Sequence, residues 1–234
     1  MEKDELLRLA RLARRTYALS GSVEVKDLFP NSLADKTFHG KKHRLRFVWV
    51  EDADRFIICF RGSVGGILGP SWRLNYKSSM RPISFGINSQ LHEGYLKQAT
   101  GAYRMIKARI SGKPLLLCGH SQGGALALAF ATQMHRFSGV NEVEVVTFGQ
   151  PKIGSVGYCR YLDMHGLWPV NRFVNMHDGV TSLPPSQIGY AHCETPSYLW
   201  QDGTVTTSER FKFSVFGAWR NHPMEEYVAR IESV

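Results

Sequence analysis

The chain has 234 residues, of which 43% are hydrophobic and 12% aromatic, a composition that excludes an intrinsically disordered protein. The formal net charge is +9, and every apolar run is far shorter than the ~18 consecutive apolar residues of a membrane-spanning helix. Heptads, short repeats and low-complexity tracts are absent. We therefore expect a single folded domain over residues 1–234.

The four cysteines form no CxxC pair of the kind found in zinc sites. Cys59 and Cys118 lie within apolar runs, where a buried reduced thiol is the usual state. Residues 1–15 are charged throughout and lack the ~7–15-residue apolar segment of a secretion signal. These features predict free thiols and a cytoplasmic location.

The first sixty residues predict one helix and one hairpin. Residues 4–18 place Leu and Ala at helical spacing beside four arginines, which predicts an amphipathic helix covering one face of a sheet. Residues 20–40 contain glycine and proline breakers and are predicted to form a loop. The apolar runs at 45–50 and 55–60 are predicted as two strands joined by the turn EDAD.

Residues 64–90 contain four glycines, two prolines and many apolar side chains. A segment of this length without regular structure is usually functional, and we predict a lid. Residues 61–113 also carry nine Lys or Arg against one acidic residue, Glu93. This positive charge fits either an anionic lipid surface or ordinary solvated helix faces. No nucleic-acid-binding motif is present, so no nucleic-acid partner is predicted.

From residue 93 onward, helical and strand patterns alternate. Helices are predicted at 93–111, 125–137, 155–165 and 225–232, and strands at 115–118, 142–148, 171–176 and 189–193, with a hairpin at 198–207. Strands that alternate with helices indicate an α/β protein with a mostly parallel sheet covered on both faces.

The segment GHSQG at 119–123 matches G-x-S-x-G, the sharp turn that exposes a nucleophilic serine between a strand and a helix. The pattern alone is weak, but here a buried strand precedes it and an apolar helix follows it. Ser121 is therefore predicted as a nucleophile held in strained backbone geometry. Glycine is needed at 119 and 123 because side chains there would collide across the bend.

In this architecture the serine is followed along the chain by an acid and then by a histidine. Asp163 lies in a predicted helix and Asp202 in a tight turn. Asp178, in contrast, directly follows a predicted strand at the carboxyl edge of the sheet, where ligand crevices open. For the base we favour His222, in a loop before the last helix, over His192, which lies in a short strand where a histidine is more often part of the core.

Seven segments, in this order, resemble the class 3 lipases: FRGS at 60–63, LHEGY at 91–95, GHSQGGALA at 119–127, TFGQPKIG at 147–154, NMHDGVTSLPP at 175–185, GYAH at 189–192 and HPMEEY at 222–227. The resemblance covers about residues 43–231 and implies an α/β-hydrolase fold with a lid at 64–90. It implies the triad Ser121, Asp178 and His222. It also implies an oxyanion hole from the backbone N–H groups of Ser63 and Gln122, with the Ser63 hydroxyl as a helper.

The function implied by this resemblance is hydrolysis of lipid esters, either acylglycerols or the sn-1 position of phospholipids. Such a serine hydrolase works through an acyl-enzyme and requires neither a cofactor nor a metal. An esterase for small soluble or aryl esters and a non-catalytic lipid-surface binding module are the alternatives. Gln122 departs from the family, which usually has Leu at this position, and its polar side chain is predicted to face the pocket or the lid.

Overall fold

The computed structural model describes residues 1–18, 21–40, 45–64, 79–84, 88–110, 112–138, 142–208, 210 and 217–234. Twelve strands lie within these ranges: β1 (Ala34–His39), β2 (Arg46–Glu51), β3 (Phe56–Phe60), β4 (Met80–Pro82), β5 (Gln90–His92), β6 (Leu115–His120), β7 (Val143–Phe148), β8 (Gly154–Ser155), β9 (Val170–Asn175), β10 (Tyr190–Ala191), β11 (Pro196–Leu199) and β12 (Val205–Thr206). They form an eight-stranded sheet, in the order β1-β2-β3-β6-β7-β9-β11-β12, and a four-stranded sheet, in the order β10-β8-β5-β4.

Six α-helices lie in the described ranges: α1 (Lys3–Arg15), α2 (Glu93–Ile106), α3 (Gln122–Ser138), α4 (Val156–His165), α5 (Gly217–Arg220) and α6 (Met224–Ser233). Short 3-10 helices span Lys107–Arg109, Gly179–Ser182 and Ser186–Ile188. None of the described helices combines the length and the apolar character that crossing a membrane requires.

The large sheet is buried on both faces because side chains alternate along its central strands. On β3, Ile58 and Phe60 join a core with helices α2, α3 and α4. Ile57 and Cys59 point to the opposite face, where they join a second core with α1 and α6. All four cysteines are buried free thiols, as the sequence predicts. This layered arrangement confirms the predicted α/β-hydrolase fold.

The parallel part of the sheet brings the functional loops to one edge. Strands β3, β6, β7, β9 and β11 run parallel, so their carboxyl ends point in one direction. Ser121 follows β6 directly, Asp178 lies three residues after β9, and Ser63 lies three residues after β3. The predicted nucleophile and acid are therefore delivered to the same edge by separate strands.

The sequence located most elements but missed an edge strand. The first hairpin is confirmed as β2 and β3, and the predicted helices are confirmed as α1, α2, α3, α4 and α6. The loop prediction for 20–40 is wrong over Ala34–His39, which forms β1. Among the described strands, β1 pairs only with β2, and most of its side chains are exposed or half-buried. Its sequence, ADKTFH, therefore lacks the apolar alternation that reveals a core strand.

The predicted lid lies mainly outside the described residues, since 65–78 and 85–87 are not among them. The described remainder is partly regular: Met80–Pro82 forms β4, which pairs with β5. Ile83 is buried and belongs to the core on the α2 and α3 face of the sheet. At least this part of the segment is therefore built into the body of the protein.

Candidate active site

The turn that carries Ser121 has the strained geometry expected of a nucleophile elbow. Ser121 has φ 56°, in the left-handed region that non-glycine residues rarely adopt. Its N–H donates to the Phe148 carbonyl at 2.8 Å, which ties the turn to the end of β7. A Cβ at Gly119 would overlap the backbone of Gly123, and one at Gly123 would overlap the Phe60 carbonyl. Both glycines are thus needed for the close approach of α3 to the sheet.

The three residues predicted as a triad are joined by two hydrogen bonds. His222 Nδ1 lies 2.8 Å from Asp178 Oδ2, and His222 Nε2 lies 2.9 Å from Ser121 Oγ. A carboxylate can only accept, so the proton on Nδ1 points to Asp178. The Nε2 lone pair then faces the Ser121 hydroxyl, which is the arrangement a general base requires.

Asp178 is held by more than the histidine. Its Oδ2 also accepts from the Tyr227 hydroxyl at 2.7 Å, and its Oδ1 accepts from the Val180 N–H at 2.9 Å. The Asp178 side chain is fully buried, so these donors replace the water that burial removes. Burial and the neighbouring Asp178 charge raise the pKa of Tyr227 well above its usual value, which keeps the phenol protonated and donating.

The backbone of His222 is held by the residue that precedes the serine. His120 Nε2 lies 2.7 Å from the His222 carbonyl oxygen, and His120 Nδ1 lies 2.7 Å from the Tyr17 hydroxyl. The carbonyl only accepts, so Nε2 carries the proton and Nδ1 accepts from Tyr17. Burial and the proximity of His222 lower the pKa of His120 well below its usual value, so the ring remains neutral in this role.

His192, the alternative base, lies elsewhere. Its Nε2 is bonded to the Thr181 carbonyl at 2.6 Å, and burial together with the nearby charges of Arg172 and Lys152 lowers its pKa to about 3. A histidine in this state is a neutral, packed residue. The structure thus places His222, and not His192, beside Ser121.

Gly149, at the end of β7, keeps space for the acid and the base. Its φ is +57°, and a Cβ built on it would lie 2.6 Å from Asp178 Oδ2 and 2.9 Å from the Tyr227 hydroxyl. The same Cβ would lie 3.2 Å from His222 Cε1. Any side chain at this position would displace the hydrogen-bonded groups around Asp178.

The predicted oxyanion-hole residues also contact each other. Ser63 follows β3, Gln122 begins α3, and the Ser63 hydroxyl donates to Gln122 Oε1 at 2.6 Å. Gln122 Nε2 in turn donates to Gln98 Oε1 at 3.3 Å. The Gln122 side chain, which we expected to face the pocket or the lid, is buried and bonded to other protein groups.

Several residues around the triad were not assigned a role from the sequence. Gly149 and Tyr227 lie inside the segments TFGQPKIG and HPMEEY, so the family resemblance contained their signal. His120 lies inside the serine turn. Tyr17 is 103 residues away from His120 in the chain, and no sequence motif around it indicates a role at the active site. Among the described residues, no three His, Cys, Asp or Glu side chains lie close enough together to hold a metal ion.

The sequence model of the family described as Lipase (class 3) matches residues 57–188, which is more than half of the chain. Lipase A of Sodiomyces alcalophilus is 28% identical over 124 residues, which cover 44% of this chain and 29% of that protein. A chloroplastic/mitochondrial phospholipase A1, EG1 of Oryza sativa subsp. indica, is 31% identical over 115 residues, covering 47% and 25%. The chain thus matches less than a third of the length of these relatives.

The likeness extends to solved structures. Rhizomucor miehei triacylglyceride lipase superposes with a TM-score of 0.69 at 21% identity, over 84% of this chain and 79% of that one. At this level of identity, the superposition supports the fold alone. The family model covers the serine turn and the segment around Asp178, and the same α/β fold carries both to one edge of the sheet. On this evidence, the chain belongs to the class 3 lipase family.

Proposed function

We propose that this protein is a serine carboxylic-ester hydrolase acting on lipid esters, with Ser121, His222 and Asp178 as its catalytic triad. The observation that carries the proposal is the hydrogen-bonded series from Ser121 Oγ through the His222 ring to Asp178 Oδ2. A serine is a weak nucleophile without a base, and here the base lies within hydrogen-bonding distance in the required tautomer.

The acylation step follows from this geometry. Ser121 Oγ attacks the ester carbonyl carbon while His222 Nε2 takes the hydroxyl proton, and the carbonyl oxygen becomes an oxyanion. Asp178 stabilises the imidazolium that forms. The bond between the carbonyl carbon and the alcohol oxygen then breaks, and the proton on Nε2 passes to the departing alcohol. The product is an acyl group esterified to Ser121.

Deacylation reverses the roles with water as the nucleophile. His222 Nε2 takes a proton from water, whose oxygen attacks the acyl carbon, and the same proton returns to Ser121 Oγ as the carboxylic acid leaves. In both steps the negative charge on the oxyanion needs donors. The backbone N–H groups of Ser63 and Gln122 are suited to this, because Gln122 begins α3 and the positive end of a helix dipole favours an anion.

Lipid esters are the substrate class that the relatives favour. The matched proteins include a lipase, a triacylglyceride lipase, whose name gives acylglycerols as substrates, and a phospholipase A1, whose name gives phospholipids. A small-ester esterase has the same triad, so the substrate must be determined by assay. We would measure hydrolysis of p-nitrophenyl esters from acetate to palmitate, and of an acylglycerol and a phosphatidylcholine, below and above their solubility limits.

The expected result is faster hydrolysis of the longer lipid esters once they form an interface. A preference for dissolved short esters, with no gain at an interface, would instead support the small-ester esterase. A fluorophosphonate probe tests the non-catalytic alternative, because only an activated serine reacts with it quickly. Wild-type protein that neither reacts with the probe nor hydrolyses any ester would refute the proposed function.

We also propose that the protein prefers anionic lipid surfaces, which the positive charge of residues 61–113 supports. Some of these cations are already paired with acidic side chains: Arg81 and Lys97 with Glu93, and Lys113 with Glu51.

The preference would depend mainly on exposed cations, and Arg104 and Lys107 are exposed near the end of α2. Rates on vesicles with and without phosphatidylglycerol should differ, and salt should reduce the difference. Equal rates at low salt would refute the preference.

A further inference from the structure

A series of hydrogen bonds connects the predicted oxyanion hole to helix α2. The Ser63 hydroxyl donates to Gln122 Oε1 at 2.6 Å, Gln122 Nε2 donates to Gln98 Oε1 at 3.3 Å, and Gln98 Nε2 donates to the Gly94 carbonyl at 3.4 Å. Gln122 is 6% exposed, so water cannot easily replace these partners. A buried amide of this kind is costly unless both of its ends are bonded.

The last member of the series determines the direction of every bond in it. A backbone carbonyl can only accept, so Gln98 must present its NH₂ group to Gly94. The Oε1 of Gln98 then faces Gln122, and because this oxygen can only accept, Gln122 must donate from its own NH₂ group. This leaves Gln122 Oε1 facing Ser63. Because a serine hydroxyl has a single proton, the proton of Ser63 is directed to Gln122 and not into the oxyanion hole.

We propose that Gln122 is a positioning residue, whose side chain holds the Ser63 hydroxyl and thereby fixes the backbone N–H of Ser63 where the oxyanion forms. The inference rests on the proposed ester hydrolysis. It differs from the role that the family resemblance implies, in which the Ser63 hydroxyl helps to bind the oxyanion directly. Here the hydroxyl is an anchor for the loop after β3, and backbone N–H groups receive the negative charge.

The two roles predict different outcomes when the groups are removed. If the hydroxyl is an anchor, Ser63→Ala and Gln122→Leu break the same bond, so the second substitution adds nothing to the first. If the hydroxyl binds the oxyanion, Ser63→Ala removes a donor, at a cost of about 10²–10³-fold in kcat. Gln122→Leu would then have little effect, because it keeps its backbone N–H.

The test is a double-mutant cycle with a short soluble ester as substrate. We expect Ser63→Ala and Gln122→Leu each to lower kcat about three- to tenfold, with KM within about twofold of wild type, as loss of one positioning hydrogen bond implies. The double variant should be no slower than the slower single variant. Ser63→Thr, which retains the hydroxyl, should have a kcat within about twofold of wild type.

Gln133 provides a matched control. It is buried on the same helix as Gln122, and its Nε2 donates to the Thr100 hydroxyl on α2 at 2.7 Å. Gln133 lies eleven residues along α3 from Gln122, which is three turns of helix and a rise of about 16 Å. Gln133→Leu removes a buried side-chain amide from the same helix, and it should leave kcat unchanged whatever its effect on the melting temperature. Gln122→Met, which preserves the length of the side chain, replaces Gln122→Leu if that variant does not fold.

Three results would overturn the inference. The first is a decrease in kcat of about 10²-fold or more for Ser63→Ala while Gln122→Leu stays near wild type. The second is a double variant in which the two effects on kcat add. The third is an equal loss of kcat in Gln122→Leu and Gln133→Leu. Each requires an active wild-type protein and leaves the proposed hydrolysis standing. A wild-type protein inactive towards every ester and towards the fluorophosphonate probe would instead refute the proposed function, and the inference with it.

Discussion

Replacing Gly149 with alanine tests whether the packing around Asp178 is essential for activity. Gly149 has φ +57°, and a Cβ at this position would lie 2.6 Å from Asp178 Oδ2 and 2.9 Å from the Tyr227 hydroxyl. Both atoms are already fixed by hydrogen bonds to each other and, for Asp178, to His222. The methyl group therefore cannot be accommodated without moving the acid of the proposed triad.

The size of the effect follows from these distances. Ordinary contacts of a Cβ begin near 3.4 Å, so the distance between Asp178 Oδ2 and the new methyl group must increase by about 0.8 Å. A displacement of about 1 Å in a catalytic group can cost ~10²-fold in rate. The left-handed backbone adds about 1–2 kcal/mol of strain in an alanine, which for a chain of this size lowers the melting temperature by ~2–8 °C. We thus expect a folded protein with kcat reduced about a hundredfold.

Gly166 provides the control for backbone strain. It ends α4 with φ +53°, but a Cβ there would meet nothing within 4 Å. Gly166→Ala should therefore lose only the stability that backbone strain costs, about 1–2 kcal/mol, and retain full activity. The assay is kcat for a soluble ester alongside thermal melting of both variants. Full activity in folded Gly149→Ala, or equal losses of kcat in the two variants, would show that the packing of Gly149 against Asp178 is not essential for activity.

Three further predictions address the same site. Ser121→Ala and His222→Ala should each lower kcat on the order of 10⁶-fold, and Asp178→Ala somewhat less, because the members of the proposed triad act as a unit. A larger loss of kcat in His192→Ala than in His222→Ala would contradict the assignment of His222 as the base. Tyr227→Phe removes one donor to Asp178 and should lower kcat about tenfold, which steady-state kinetics would detect. His192 is neutral when folded, with a pKa of about 3, whereas the unfolded chain binds the proton near pH 6.5. The neutral His192 therefore lowers the free energy of unfolding by about 1.4 kcal/mol for each pH unit as the pH falls from 6.5 towards 3. Urea unfolding measures this free energy at pH 7 and pH 5, and the difference between the two values should be smaller in His192→Gln than in wild type.

The fold was predictable because its strongest signals are local. Strand β6, the glycines at 119 and 123 and the apolar helix α3 form one continuous pattern, and the alternation of strands and helices around it indicates a parallel sheet. Edge strand β1 was missed since a strand with one neighbour and exposed side chains does not need apolar alternation.

The supporting contacts of the site were less predictable because they join distant parts of the chain. The choice of His222 over His192 depended on a loop position, and the structure places His222 beside Ser121 at 2.9 Å. The contact from Tyr17 to His120 spans 103 residues and involves no recognisable motif. The bond from Ser63 to Gln122 also depends on tertiary packing, as only the fold brings the loop after β3 to the start of α3.

Trapping of the acyl group identifies the nucleophile of the proposed hydrolysis. Wild-type protein is mixed with excess p-nitrophenyl ester and quenched in acid within milliseconds, and mass spectrometry then locates the added acyl mass. We expect a burst of p-nitrophenol and an acyl adduct on Ser121, both absent in Ser121→Ala. Hydrolysis that persists in Ser121→Ala, or an acyl adduct on another residue, would contradict it.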